Sequence, residues 1–585
     1  MKFIWSYLKN FKKRLVVSVG LKTLGAFTEL LIPYVLEHMV DDIAPTKDLK
    51  LVIFWGIIML VLAIAVRLMN VAANRRAVKI SSECAYEIRK DLFRSSLDLS
   101  GGQVDDFGLP SLTSRMTSDS YNVQNFLRSI QLMGVRAPIM LVGGIIITLT
   151  MDVGLAMILV ILAPIMMASV VAISGKGMPM YGTVQQRLDT VVRVMRENIT
   201  GIRVVKALSK EDYEKRRFGE ANEAMSKDER KVGIIMALPG PLVTLALNMG
   251  LTLVVLFGAK RVNAGVTEPG VILAFLTYFN MIMMAVRAFN RLFIMMSKAN
   301  ASAQRIAAVI AQPDELAPIA EEDAAKPETD DYVIFDKVSF SYGEAGEETE
   351  ARFVGEGRSK ALEDISFAMK KGGSLGIIGA TGCGKTSIIN LLMRFYDADE
   401  GHVFVAGKDV RTYDKDELHR LFGVVFQNDV VFADTIAENV SFGRDVIADD
   451  MRSAAADACA SEFIEDYSDQ YEHKADIRGA NFSGGQRQRI LITRALAANP
   501  SILILDDASS ALDYRTDAAL RRAIREHHAD TTTIIIAQRI SSIMSLDDII
   551  MLDEGRIIGH GTHEQLLETC PQYREIFETQ MGEEA

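Results

Sequence analysis

Six apolar stretches, at about residues 16–40, 51–72, 131–150, 155–175, 238–259 and 270–295, constrain this chain more than any other feature. Each is roughly 20 residues or longer, the length a helix needs to cross about 30 Å of hydrocarbon. One such stretch fits a buried core helix, but six in succession are hard to hide in any soluble core. The connections near 41–50, 151–154 and 260–269 are short, whereas those near 73–130 and 176–237 are long, polar and helix-patterned. Lys and Arg number 5 in residues 1–14, 8 in 74–130 and 13 in 176–232, against 4 in the three short connections together. Positive charge beside spans marks the cytoplasmic side. A multi-pass protein of the cell (inner) membrane is expected, with both termini and both long connections cytoplasmic.

The whole-chain formal charge of −11 conceals a split. Residues 1–320 hold 37 Lys+Arg against 25 Asp+Glu, a net of +12, and the remainder holds 27 against 50, a net of −23. The basic half is thereby explained by membrane topology, and no nucleic-acid partner is expected. A hydrophobic content of 49% excludes a disordered chain. Cys84, Cys383, Cys459 and Cys570 lack metal-ligand spacing and are expected to be reduced thiols. The run Phe3, Trp5, Tyr7, Lys9, Phe11, Lys12 and Lys13 suits a segment lying along the membrane surface.

Several ionisable residues sit inside the apolar stretches, among them Glu29, Glu37, Arg67, Arg136 and Arg287. Charges at depth are costly and face a bundle interior or a water-filled cavity. For Glu29 two readings stand, a contact to a cationic substrate and an interhelical ion pair. The cluster Met281, Met283, Met284, Met295 and Met296 suits either an adaptable cavity wall or ordinary packing.

The expected organisation is a transmembrane domain over 1–312, an acidic, Pro-containing linker over 313–331 and a nucleotide-binding domain over 332–585. In that last region short β-rich runs alternate with helical patterns, the signature of an α/β domain with a largely parallel sheet. Gly379-Ala380-Thr381-Gly382-Cys383-Gly384-Lys385-Thr386 fits G-x-x-x-x-G-K-[ST], with an apolar strand before it and a helical run from Ser387 behind it. Such a loop wraps a phosphate in backbone N–H groups, Lys385 reaches the β/γ-phosphates, and the Thr386 hydroxyl can ligate Mg²⁺. A second strand, Ile502–Leu505, ends in Asp506-Asp507, which suits Asp506 for Mg²⁺. Between them lies Asn481-Phe482-Ser483-Gly484-Gly485-Gln486, a turn opening a helix.

In this order the motifs resemble those of the ATP-binding cassette (ABC) transporters, specifically half-transporters of the exporter type. The resemblance covers nearly the whole chain. It implies an all-α six-helix membrane domain of the type I exporter fold followed by an α/β P-loop ATPase domain. It implies ATP and Mg²⁺ as cofactors, with ATP held by residues 379–387 and Mg²⁺ by Thr386, Gln427 and Asp506. Tyr342 resembles the aromatic platform for adenine, with a strand aromatic in the core as the other reading. Gln427 resembles the glutamine that contacts Mg²⁺ and the attacking water. Ser483, Gly484, Gly485 and Gln486 resemble the signature that closes on ATP of the opposite subunit. Ser510 and Asp513 resemble the loop that couples the two nucleotide sites. Stretches near Phe107–Asp119 and Gly201–Glu214 resemble the coupling helices.

Two positions depart from the family pattern. The residue after the Walker B Asp, normally Glu, is Asp507, whose carboxylate is one methylene shorter. It sits roughly 1.5 Å back, and a displacement of about 1 Å can cost on the order of 10²-fold in rate. The switch histidine is replaced by Gln538, which cannot carry positive charge near neutral pH. A milder third departure places Ile477 where an acidic residue is common. With Gln427, these two catalytic positions imply a site that binds MgATP and hydrolyses it slowly. The expected assembly is a heterodimer with a second, different half-transporter, moving amphiphilic drugs, lipids or peptides within and across membrane lipid. A nucleotide-gated channel, a regulatory subunit or an exporter-fold importer are the alternatives. The acidic insertion Gly343–Ser359 reads as a solvated loop.

Overall fold

A computed structural model describes residues 1–343 and 360–582, so all of the acidic insertion beyond Gly343 lies outside the described residues. The chain divides into two units, Met1–Leu97 with Pro110–Ala311, and Asp98–Leu109 with Gln312–Ala585.

The first unit is entirely helical. Its long helices are α1 (Lys12–His38), α2 (Leu49–Leu97) and, beyond α3 (Gly101–Phe107) of the second unit, α4 (Ser120–Met151) and α5 (Val153–Thr200). They are followed by α6 (Glu211–Ala237), α7 (Pro239–Asn263) and α8 (Pro269–Ile310). Among the described residues five helical segments are long and apolar enough to cross a bilayer, and Val153–Ser169, the apolar start of α5, is shorter. At 1.5 Å per residue α2 runs about 74 Å, more than twice the hydrocarbon thickness. The long polar connections are therefore largely continuations of the spans themselves.

Side-chain choice explains the packing. On α2, Ile53, Phe54, Ile57, Leu60, Val61 and Ile64 are exposed, as suits a lipid-facing stripe. Its buried side carries Ala73, Ala77, Ser81 and Cys84, small residues that let helices approach closely. Several polar groups of this unit find partners on other helices. Tyr278 Oη donates to the Leu30 carbonyl at 2.6 Å. Asp41 accepts the Gly270 and Val271 N–H groups at the start of α8, at 2.6 and 3.1 Å. Asp119 accepts from Ser302 Oγ at 2.8 Å and pairs with Arg305. Glu29 accepts both Arg136 Nε, at 3.1 Å, and Nη2, at 2.7 Å, so the ion-pair reading of Glu29 holds and its carboxylate is spent. Arg67 and Arg287 lie on exposed faces.

The second unit holds two sheets. One is antiparallel, β1 (Val333–Phe340), β2 (Leu362–Met369), β4 (Glu400–Val405) and β5 (Lys408–Asp409), in the order β2-β1-β4-β5. The other combines β3 (Ser374–Gly379), β6 (Phe422–Val425), β7 (Ile502–Asp506), β8 (Thr532–Ile536), β9 (Asp548–Asp553) and β10 (Arg556–Gly561). Its order is β10-β9-β3-β8-β7-β6, parallel from β9 to β6 with an antiparallel edge at β10. Every residue of β7 and β8 is buried, which is why these strands read as continuous apolar runs. Parallel neighbours align their carboxyl ends along one edge, where open α/β sheets bind ligands.

The stretch expected as a linker is laid against the second unit, where Ile319 N–H donates to Arg411 O at 2.9 Å and Leu316 is buried. Its acidic residues find lysines: Asp314 pairs with Lys415 and Glu321 with Lys408. Of the stretch near Phe107–Asp119, residues 107–109 fall in the second unit, together with α3, and residues 110–119 in the first. Gly101 makes this approach possible. Its N–H donates to Phe395 O at 3.1 Å, and a Cβ there would stand 2.7 Å from the Tyr396 ring. Tyr396 Oη closes the contact on Asp105 at 2.7 Å. The other stretch forms the short helix Ile202–Ala207 and the start of α6, both in the first unit.

Candidate nucleotide site

Four neighbouring strands of the parallel sheet, β3, β8, β7 and the edge strand β6, deliver the candidate residues to their carboxyl ends. The phosphate loop follows β3, Gln427 lies two residues beyond β6, Asp506 ends β7 with Asp507 next to it, and Gln538 lies two residues beyond β8. Since β3, β8, β7 and β6 are neighbours in that order, residues scattered over about 160 positions become adjacent.

The loop has a backbone that its glycines permit. Gly382 has φ +86° and Gly384 φ +104°, and a Cβ on Gly384 would lie 2.6 Å from both the Ala361 carbonyl oxygen and Leu362 Cδ2. The N–H groups of Thr381, Gly382, Gly384, Lys385 and Thr386 donate to no carbonyl or side chain among the described residues. Five open donors at the start of α9 (Lys385–Leu392) form a cradle for an anion. Lys385 Nζ is held back over the loop by the carbonyls of Gly379 and Ala380, both at 2.7 Å. Thr386 Oγ1 donates to Asp506 Oδ2 at 3.3 Å. Asp506 is 3% exposed, and burial pushes its carboxyl above the ordinary range, while Thr386 and Lys385 pull it down. A hydroxyl and one buried carboxylate suit Mg²⁺, which takes one or two carboxylates and completes its shell with phosphate and water oxygens. No cluster of three or more His, Cys, Asp or Glu stands ready to cage a metal alone among the described residues. The residues present therefore fit MgATP better than a free cation.

Gly384→Ala is expected to weaken MgATP binding about tenfold to hundredfold, the equivalent of about 1–3 kcal/mol of backbone strain and overlap. Isothermal titration of the full chain measures it.

The two departures from the family pattern meet. Gln538 Nε2 donates to Asp507 Oδ2 at 3.2 Å. Asp507 stands in the left-handed region, φ +51°, with its N–H on Ile536 O at 2.9 Å. Burial raises its carboxyl, opposed by the charges of Lys385 and Arg539. Arg539 is thus a residue that motif reading passes over. It places a positive charge in this corner where Gln538 has none.

Tyr342 sits between the two readings of it. Its ring meets Phe340 edge-on at 4.8 Å and Tyr396 at 5.3 Å. Its hydroxyl shares a hydrogen bond with Ser387 Oγ at 3.0 Å and accepts from Asn390 Nδ2 at 3.1 Å. Ser387 is buried, and its hydroxyl faces this tyrosine.

No hydrogen bond joins the signature turn to the phosphate loop among the described residues. Ser483 caps α10 (Gly484–Leu496) with a capping box, accepting Gln486 N–H at 3.2 Å while Gln486 Oε1 accepts Ser483 N–H at 2.9 Å. A Cβ on Gly485 would lie 3.3 Å from Ala511 O, so the turn lies directly on the Ser510–Asp513 loop. Asp513 caps α11 (Tyr514–His527) by accepting Thr516 N–H at 3.0 Å.

Comparison with known proteins decides the family. A model described as the ABC transporter transmembrane region matches residues 15–286, and one described as ABC transporter matches residues 362–510. The chain belongs to the ABC transporter family. It is 33% identical, over 99% of its length and 98% of the other chain, to the uncharacterized ABC transporter ATP-binding protein YfiB of Bacillus subtilis. It is 32% identical, over 98% and 97%, to the uncharacterized ABC transporter ATP-binding protein MT1311 of Mycobacterium tuberculosis. A solved structure of a bacterial Atm1-family ABC exporter with ATP bound superposes with a TM-score of 0.78 at 23% identity, covering 98% of this chain and 99% of that one. This ABC transporter therefore has the exporter-type fold, is embedded in a membrane through its helical half and carries the family's ATP-hydrolysing domain.

Proposed function

We propose that this ABC transporter is one half of a heterodimeric exporter whose own Walker motifs form a slow, MgATP-holding site. The observation that carries the reading is the 3.2 Å hydrogen bond from Gln538 to Asp507. One oxygen of the short carboxylate is engaged by a neutral amide, which brings no positive charge to a γ-phosphate. Residues 379–387 would hold the phosphates, Tyr342 would meet the base, and Thr386, Asp506 and Gln427 would hold Mg²⁺, which would supply neutralisation of phosphate charge. Ser483, Gly484 and Gly485 complete the competent site of a different half-transporter bearing Glu and His. Ser510 and Asp513 link the two sites, an assignment supported by the packing of Gly485 against Ala511. Closure of the nucleotide domains turns the membrane helices from inward- to outward-facing, and hydrolysis at the competent site resets them. Both termini lie in the cytoplasm, and the cargo is an amphiphilic small molecule.

Transport in inside-out vesicles holding this chain and its partner tests the reading. Accumulation of an amphiphilic dye against its gradient is expected with ATP and is expected to be lost with a non-hydrolysable analogue. Downhill flux alone, opened equally by either nucleotide, would instead establish a gated channel or regulatory subunit.

A further inference from the structure

The helical unit contains a cavity of about 210 Å³ among α1, α2, α4 and α8. Lys22, only 6% exposed, reaches it from α1. Its ammonium donates to Asn70 Oδ1 at 2.7 Å and Asn74 Oδ1 at 3.3 Å, both neutral amides on α2. Among the described residues no carboxylate pairs with it. The nearby carboxylate, Glu29, is taken bidentately by Arg136, whose side chain also lines the cavity. The three charged groups sum to one uncompensated positive charge. The remaining wall is soft and apolar, with Met133 and Met140 from α4 and Met281 and Met284 from α8.

An unneutralised ammonium within the apolar length of a span is expensive to keep. Two amides orient it but leave its charge in place, and the third N–H has no partner among the described residues. Methionine walls adapt to apolar groups of many shapes. The volume falls below the ~300–1,000 Å³ of a site that engulfs a drug-sized ligand. It suits a polar head and the first carbons of a chain.

We propose that this cavity binds the anionic head of a singly charged amphiphile, carboxylate or sulfate, against Lys22, with Arg136 at its edge and the apolar portion on the methionines. This deepens the transport reading, on which its physiological use rests, by naming the class of cargo. Amphiphilic cations are disfavoured by the same charge.

The test is equilibrium binding to the full chain in phosphatidylcholine nanodiscs, with radiolabelled laurate and dodecyltrimethylammonium as probes of equal chain length and opposite charge. Laurate is expected to saturate, with affinity at least about tenfold above that for the cation. Lys22→Gln is expected to lower laurate affinity about tenfold or more, the scale of one hydrogen bond to a charged group. Lys22→Arg is expected to restore most of it. Lys22→Glu is expected to reverse the preference, and a misfolded protein would gain no such cation binding. Equal binding of both probes, non-saturable partitioning of laurate, or unchanged laurate affinity in Lys22→Gln overturns the proposal. Uphill transport of laurate is scored separately. Lys22-dependent binding without transport leaves the binding proposal standing and removes laurate as a cargo, whereas uphill transport of the cation without laurate binding overturns the proposal and leaves the export reading standing.

Discussion

Replacing Asp507 with Glu and Gln538 with His together is expected to raise steady-state ATP hydrolysis by this chain on the order of 10²-fold. The added methylene returns the carboxylate by roughly 1.5 Å to where water would be polarised, and displacements of about 1 Å at such a point are worth about that factor. The second change removes the amide that Gln538 places on Asp507 at 3.2 Å and installs a group that can protonate. The effects should not add. Asp507→Glu alone leaves Gln538 free to follow the longer carboxylate and should recover only part of the rate. Residues acting as a unit behave this way. The double variant should also gain a limb in its pH–rate profile near the imidazole range, about pH 6.5, which the unchanged chain lacks. Phosphate release from nanodisc-embedded protein measures both effects. A double variant no faster than the starting chain would show that the site is slow for another reason, or is not slow at all.

The second large effect concerns assembly. Purified alone, the chain is expected to bind MgATP with little turnover. Co-purified with a half-transporter that carries Glu and His at the matching positions, it should support turnover on the order of 10²-fold higher, again the scale of a correctly placed water-polarising group. In that pair, changing Ser483 of this chain should remove most of the gain, because Ser483 would serve the partner's nucleotide. Changing Lys385 should weaken this chain's own nucleotide binding and spare more of the turnover. The asymmetry between those two variants distinguishes a division of labour from two equal sites. Vigorous hydrolysis by this chain without a partner would sink the heterodimer reading.

How much of this was legible in the sequence depends on the range of each interaction. The phosphate loop was readable because its chemistry is local. Glycines at 382 and 384 must adopt positive φ, and the strand before and helix after them are adjacent in sequence. The contact of Asp507 with Gln538 was not readable, although both residues stood out. They are 31 positions apart and meet because β7 and β8 are parallel neighbours. Glu29 and Arg136 were visible as charges inside apolar stretches, 107 positions apart, and an ion pair was one reading of Glu29, but the sequence did not name Arg136 as its partner. Lys22 gains meaning only from that pairing together with the asparagines of α2. The contacts of the stretch 313–331 were not legible, for a compositional reason. Proline and acidic residues also suit a strap fastened to a surface, and the lysines that fasten it, Lys408 and Lys415, come from elsewhere.

The chain enters its second unit briefly at residues 98–109, leaves it, and returns for good at residue 312. No single scissile point therefore divides the protein into two finished pieces. A fragment beginning at 312 would carry an unfilled groove: the Phe395 carbonyl would lose the Gly101 N–H, and Tyr396 would lose Asp105. Anyone excising the ATPase half for solution work should supply residues 98–109 as a peptide, because the missing piece is encoded more than 200 residues upstream of the cut.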